Sequence, residues 1–273
     1  MTIDLGKPRG ILHPQLAHGE FQHDRRAPSP VLAEVVEHYW HVAWDLRGLP
    51  AQQQETLPHP NVHFVVEPAL TGIYGVHTGR FTRLLEGKSQ VFGIKFKPGG
   101  FFPFYGAPVS ELQNRSLDPR RIFGDDAARF ESEVCASADI DAMVLAAEQL
   151  LLAHVPAVDA NVTHVSELVA GIAADRSLTS VDALSQQCQL TKRALQRLFN
   201  RYVGVSPKWV INRYRMHEAI AQLQAGGPVI WADLALALGY FDQAHFIRDF
   251  RKLVGRSPTE YARAESHSDP SCR

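Results

Sequence analysis

A chain of 273 residues is longer than one small core usually organises and points to two domains. Hydrophobic residues make up 45% of it, which provides for packed cores and excludes a largely disordered protein, and no apolar run approaches the roughly 18 residues of a membrane span. The formal net charge is −1, so no global field draws the chain onto a polyanion and any basic surface must be local.

The opening MTIDLGKPRG has no apolar stretch of the signal-peptide kind, so a cytoplasmic protein is expected. Cys135, Cys188 and Cys272 are scattered and odd in number, which argues against a disulfide framework. The first 125 residues hold short runs rich in β-branched and aromatic residues, among them HYWHVAWDL, NVHFVVEP, GIYGVHTG, FTRLLEG and QVFGIKFKPGG, punctuated by Pro and Gly. That is the pattern of antiparallel strands joined by turns. In VFGIKF, Phe92, Ile94 and Phe96 alternate with Val91, Gly93 and Lys95, which puts them on opposite faces. Half a dozen such strands predict a small barrel or sandwich.

Within this part, His59, His63 and Glu67 share a face if they share a strand, and His77 follows one strand later. Cation chemistry at such a site is disfavoured by the spacing, since four residues of strand separate His59 from His63 by about 13 Å. A polar strand face is the simpler reading. The loop PGGFFPFYG, with Phe101, Phe102, Phe104 and Tyr105, is either a pocket wall or a plug for a barrel mouth, the plug being preferred. DDAARFESEV and DAMVLAAEQLLLAH then read as helices. Met143, Ala147, Leu150, Leu151 and His154 line one side of the second, as a packing face or as a dimer seam. HVPAVDANVTH follows as a linker, centred on residues 157–161.

The remaining chain repeats itself at an offset of 51 residues. TKRALQRLFNRYVGVSP (Thr191 to Pro207) and DQAHFIRDFRKLVGRSP (Asp242 to Pro258) align Arg197 with Arg248, Phe199 with Phe250, Gly204 with Gly255 and Ser206-Pro207 with Ser257-Pro258. Leu195, Leu198, Phe199 and Tyr202 form an apolar stripe in the first, Phe246, Phe250 and Leu253 in the second. Each copy predicts a helix stopped by glycine, followed by a Ser cap with proline in the next first turn. SVDALSQQC and WADLALALGY precede the copies as shorter helices, giving helix-turn-helix units at about 180–201 and 231–253. Between them, Pro207 to Gln224 predicts one helix closed by Gly226-Gly227-Pro228. Its eighteen residues span roughly 27 Å, against about 34 Å for one turn of DNA. Residues 160–273 hold 14 Lys+Arg against 10 Asp+Glu, and residues 1–159 hold 14 against 19.

From about Val162 to Arg263 the chain resembles the DNA-binding domain of the AraC/XylS family of bacterial transcription regulators. The resemblance rests on LTKRALQRLFNRYVGVSPKWV, RMHEAIAQL and ADLALALGYFDQAHFIRDFRKLVGRSPTEYAR. One departure is Gln189, where the family carries glycine at the first turn. FGIKFKPGGFFPFYG and PVSELQNRSLDP in turn resemble the uncharacterised sensor-like domain that precedes such DNA-binding domains, implying a cupin-like β-barrel. The expected fold is α+β: an antiparallel barrel-like domain with flanking helices over residues 1–156, which senses or dimerises, a linker at 157–161, an all-α DNA-binding domain over 162–263, and a frayed tail over 264–273. Residues 160–265 are expected to be a helical module with a core of its own.

The partner implied is a double-stranded DNA operator. Arg193, Gln196, Arg197, Gln243, His245 and Arg248 are the candidate base-contacting residues, since Arg suits guanine and Gln suits adenine. Lys192, Arg201 and Lys252 are placed to touch phosphate. RNA polymerase, a small-molecule effector of unknown identity and a second copy of the chain are further candidate partners. No cofactor, no metal, no catalytic residue and no membrane partner is expected. The alternative is a cupin-type metal-dependent enzyme with a degenerate DNA-binding tail.

Overall fold

The computed structural model describes residues 10–12, 19–157, 159–227 and 229–267; Cys272, Pro228 and most of the opening MTIDLGKPRG lie outside them. Among the described residues, the N-terminal part holds eight strands: β1 (Glu20–Arg26), β2 (Val36–Asp45), β3 (Gln52–Thr56), β4 (His63–Val66), β5 (Gly72–Tyr74), β6 (Phe81–Leu85), β7 (Lys88–Phe96) and β8 (Ser116–Leu117). Six build one sheet in the order β1-β2-β7-β4-β5-β8, and β3 pairs with β6 in a separate ribbon. All pairings are antiparallel. The expected barrel does not close: β1 and β8 are the sheet's unjoined edges. Local alternation specifies which face of a strand is buried, but not whether the first and last strands meet.

The alternation itself holds. Phe92, Ile94 and Phe96 of β7 are buried, with Tyr39 and Phe64 paired to either side of Ile94. Helices α1 (Phe102–Tyr105), α2 (Arg120–Phe123), α3 (Asp126–Ala136) and α4 (Ile140–Ala153) follow, with a 3₁₀ turn at Val109–Leu112. Phe123 and Phe130 lie 5.8 and 5.2 Å from the Phe64 ring, so α2 and α3 cover the sheet. Met143, Ala147, Leu150 and Leu151 of α4 are buried in the same core. That face is used for packing within the chain and is not free to serve as a dimer seam; Leu145 and Leu152, on the other side of α4, are exposed.

Among the described residues seven further helices follow: α5 (Ala160–Ala174), α6 (Val181–Gln187), α7 (Lys192–Tyr202), α8 (Pro207–Gln224), α9 (Trp231–Ala237), α10 (Gln243–Val254) and α11 (Pro258–His267). Ala160 and Asn161, placed by the sequence in a linker, form the first turn of α5, whose cap is Asp159. Residues 264–267, expected to be frayed, are the last turn of α11. Among the described residues no helix is long and apolar enough to cross a membrane.

The helical part does not have a single core of its own. One cluster of buried side chains runs from Leu32 through the sheet and α3–α4 into Val165, Leu195, Phe199, Tyr202 and Ile211. A second joins α8 to α9, α10 and α11 and, among the described residues, takes Leu12 and Leu57 from the N-terminal part. The loop PGGFFPFYG makes the first connection. Phe101 packs 5.1 Å from Phe96, while Phe102 lies 4.3 Å from Tyr202 of α7. It is therefore a seat for the first helix-turn-helix unit, where the sequence suggested a pocket wall or a plug.

Polar contacts reinforce the junction. Arg213 of α8 is 1% exposed and donates to the Thr78 carbonyl at 2.5 Å, and burial pushes its pKa down to about 10. His217, also buried on α8, stacks on His59 at 4.1 Å and 7° between planes, and its Nε2 makes no hydrogen bond. Burial holds His217 well below the ordinary imidazole value, and His59, Arg213 and Lys95 push in the same direction. The folded protein thus keeps this ring neutral, whereas the unfolded chain protonates it near pH 6.5. Below that pH the unfolded state binds more protons, so stability falls with pH, by about 1.4 kcal/mol per unit for one such group. Thermal melts should show the loss between about pH 6.5 and 5, and His217→Phe should make it shallower by one such increment, while His63, whose pKa burial lowers to about 3, keeps its own share. Parallel profiles for parent and variant would refute the assignment.

Candidate nucleic-acid interface

Two helix-turn-helix units stand at the ends of α8. In the first, the Ser180 side chain caps α6 by accepting from Ala183 N, and Thr191 caps α7 by accepting from Ala194 N at 3.2 Å. The turn between them holds Gln189 at φ +55°. This is the left-handed region, which costs a residue with a Cβ roughly 1–2 kcal/mol. Hydrogen bonds tie the turn in place: Leu190 N donates to Ser185 O at 3.2 Å, and Ser185 Oγ to Leu190 O at 2.5 Å. In the second unit the equivalent residue is Gly239 at φ +70°, which bears no such cost. Asp242 caps α10 by accepting from His245 N at 2.6 Å. Arg215 of α8 clamps this turn, donating from Nε to Leu238 O with its guanidinium 4.1 Å above the Tyr240 ring. Burial pushes the Tyr240 hydroxyl up to about 12.

Apolar periodicity sets which sides of α7 and α10 face inward. Leu195 and Phe199 of α7, and Phe246 and Phe250 of α10, are buried. The phase leaves Lys192, Arg193, Gln196, Arg197, Asn200 and Arg201 exposed on α7, and Gln243, His245, Arg248 and Lys252 exposed on α10. Every one of the nine candidate contact residues is therefore at the surface. Arg197 and Arg248 hold equivalent places. The others differ in their surroundings. Lys192 pairs with Asp182 at 2.5 Å, and His245 lies 3.6 Å from Asp249. The Arg201 guanidinium sits 4.8 Å over the Phe102 ring, which engages it with the N-terminal part.

Two surface arginines that the sequence reading passed over are Arg251 and Arg256, both exposed beside the end of α10. The repeat held the signal for the first, since Arg251 aligns with Asn200. Arg80 was also missed. It donates from Nη1 to the Val254 carbonyl at 2.7 Å and pairs with Glu55 at 3.2 Å, so the N-terminal part holds the C-terminal end of α10. Gly255, at φ +85°, stops that helix as its position in the repeat implied.

His59, His63, Glu67 and His77 are not brought together in the grouping that the enzyme alternative requires. Strand β4 starts only at His63, and His59 lies outside it against His217. Glu67 is paired with Arg83, and His77 Nε2 lies 3.2 Å from the Arg80 carbonyl. Among the described residues no three His, Cys, Asp or Glu side chains are arranged to hold a metal ion.

Comparison with known proteins matches two segments of the chain. Residues 24–118 match a family described as Domain of unknown function (DUF6597), and residues 184–264 match one described as Helix-turn-helix domain. The chain is 35% identical over 75 residues to the HTH-type transcriptional activator RhaS of Pectobacterium atrosepticum, covering 28% of this chain and 26% of that protein. It is 34% identical over 82 residues to the HTH-type transcriptional activator AarP of Providencia stuartii, covering 30% of this chain and 60% of that one. The matches thus span about a quarter of RhaS and three fifths of AarP. The structure of ToxT from Vibrio cholerae aligns over 89% of this chain and 97% of that chain, at 11% identity and a TM-score of 0.37. From residue 184 to residue 264 the chain carries a helix-turn-helix domain of the AraC type.

Proposed function

We propose that this protein is a cytoplasmic, sequence-specific DNA-binding transcription regulator that reads two adjacent major-groove segments. One observation carries the reading: two capped helices at the ends of one strut turn equivalent arginines, Arg197 and Arg248, to solvent over equivalent buried phenylalanines. In helix-turn-helix proteins the second helix of each unit enters the major groove. Arg193, Gln196, Gln243 and His245 flank the two arginines as further base contacts, and Lys192, Arg201 and Lys252 are assigned to phosphate. The relatives RhaS and AarP are named as transcriptional activators, which supports the same reading. No catalytic step is required, because regulation of this kind is differential binding between two states. The N-terminal part is the proposed receiver of a small molecule or of a second copy, and RNA polymerase a proposed partner of the DNA-bound form.

The test uses a duplex selected from a random pool by the full chain. Arg197→Ala and Arg248→Ala should each weaken binding to it by about 1–3 kcal/mol and relax preference at one base pair. Melting temperatures should stay near the parent's, since exposed helix positions accept alanine. Two variants that bind the selected duplex as tightly and selectively as the parent would overturn the assignment of both helices.

A further inference from the structure

The turn of the second unit is one residue longer than that of the first, and the extra length places an aromatic ring in solvent. Between the left-handed residue and the helix cap lies only Leu190 in the first unit, from Gln189 to Thr191. In the second lie Tyr240 and Phe241, from Gly239 to Asp242. Tyr240 takes the inward place. It is 5% exposed, and its ring lies 5.4 Å from Phe246.

Phe241 is 95% exposed, more than any other large apolar side chain among the described residues. An apolar residue just before a helix cap commonly staples onto the fourth residue of the helix, which here is Phe246. Tyr240 makes that contact instead, so the packing of this unit accounts for Tyr240 and leaves Phe241 outside it. A fully hydrated phenyl ring contributes nothing to folding, and its apolar area is best satisfied by a surface that arrives later. Its place indicates which surface. It adjoins the N-terminal end of α10, beside the exposed Gln243 and His245, and that end of a recognition helix contacts base edges. In the major groove the apolar feature of a base pair is the thymine 5-methyl group.

We propose that Phe241 is a specificity-determining residue that packs its ring on a thymine methyl next to the base pairs read by α10. The proposal rests on the DNA-reading function above and adds to it a preference that no hydrogen-bonding side chain of α10 supplies. The first unit, with its shorter turn, has no counterpart, so the two half-sites are read by different chemistry.

The experiment measures Kd of the full chain, Phe241→Ala, Phe241→Ser and Arg248→Ala for the selected duplex. It repeats the measurement on duplexes in which each thymine in turn is replaced by deoxyuridine, which removes only the methyl group. For the parent, one thymine in the segment read by α10 should lose about fourfold in affinity on demethylation, the worth of one buried methyl-sized group. Phe241→Ala should lose a similar factor on the thymine duplex and be indifferent to demethylation at that position. Melting temperatures of the Phe241 variants should match the parent's, because the ring is exposed. Weakened binding by Phe241→Ala with no sensitive thymine places the ring on deoxyribose and overturns the specificity role. Unchanged binding by both Phe241 variants, with Arg248→Ala impaired, overturns the proposal while leaving DNA reading in place. Unchanged binding by Arg248→Ala as well overturns DNA reading by α10 itself, and the proposal with it.

Discussion

Replacing Phe250 by alanine should destabilise the second helix-turn-helix unit by about 3–5 kcal/mol, the usual cost of emptying a buried aromatic site. Phe250 has no exposed surface, and its ring meets Phe246 at 5.7 Å and Tyr261 at 5.8 Å. Both neighbours belong to the core that α8, α9, α10 and α11 share, so the loss falls on that unit first. Phe199→Ala should cost a similar amount but act elsewhere, because Phe199 lies in the core that continues into the sheet. It should therefore loosen the first unit and its seat on the N-terminal part together. Denaturant or thermal melts followed by circular dichroism check both. Unchanged melts with DNA binding lost would place the rings at the DNA surface and overturn the helical phase.

Excising residues 161–273 should give a fragment in which the two units part company. The cut removes Asp159, whose carboxylate accepts from the Tyr202 hydroxyl at 2.8 Å and caps α5. It removes Phe102 from the Tyr202 ring and Val109 from against Gly204. Each large apolar side chain so uncovered forfeits about 1.5–3 kcal/mol, enough in sum to melt a small unit of marginal stability. Among the described residues, the second core loses Leu12 and Leu57, together with the Arg80 contact to the Val254 carbonyl. Hydrogen exchange should accordingly find the amides of α5–α7 unprotected in the fragment and those of α8–α11 protected. DNA binding should weaken to that of one reading head, well beyond any loss of avidity. Protection of α5–α7 equal to that in the full chain would show that the first unit needs no seat, as its sequence alone suggested.

The two helix-turn-helix units were legible because their signals are local. Ser206 accepts from Trp209 N three residues on, and the Ser257 hydroxyl accepts from Glu260 N while Glu260 accepts from Ser257 N. Such caps, the glycine stops and the stripes of Phe199 and Phe250 act within about four residues, so reading along the chain recovers α8 from Pro207 to Gln224 and the faces of α7 and α10. The exposed face of a helix follows once its buried face is known. Strand alternation in β7 was legible for the same reason.

Closure of the sheet, the role of the aromatic loop and the sharing of the first core were decided only by the tertiary structure. They depend on partners far apart in sequence: Phe102 meets Tyr202, Arg213 reaches back to Thr78, and Arg80 reaches forward to Val254. An arginine in an amphipathic helix reads as a solvated charge, and Arg213 loses that status only when a loop of the N-terminal part offers its carbonyls. His59 shows the converse, as its spacing from His63 suggested one strand face while the fold sets it against His217. Periodicity records which side of an element is apolar; which other element covers that side is settled by shape and by hydrogen bonds that exist only after the chain has folded.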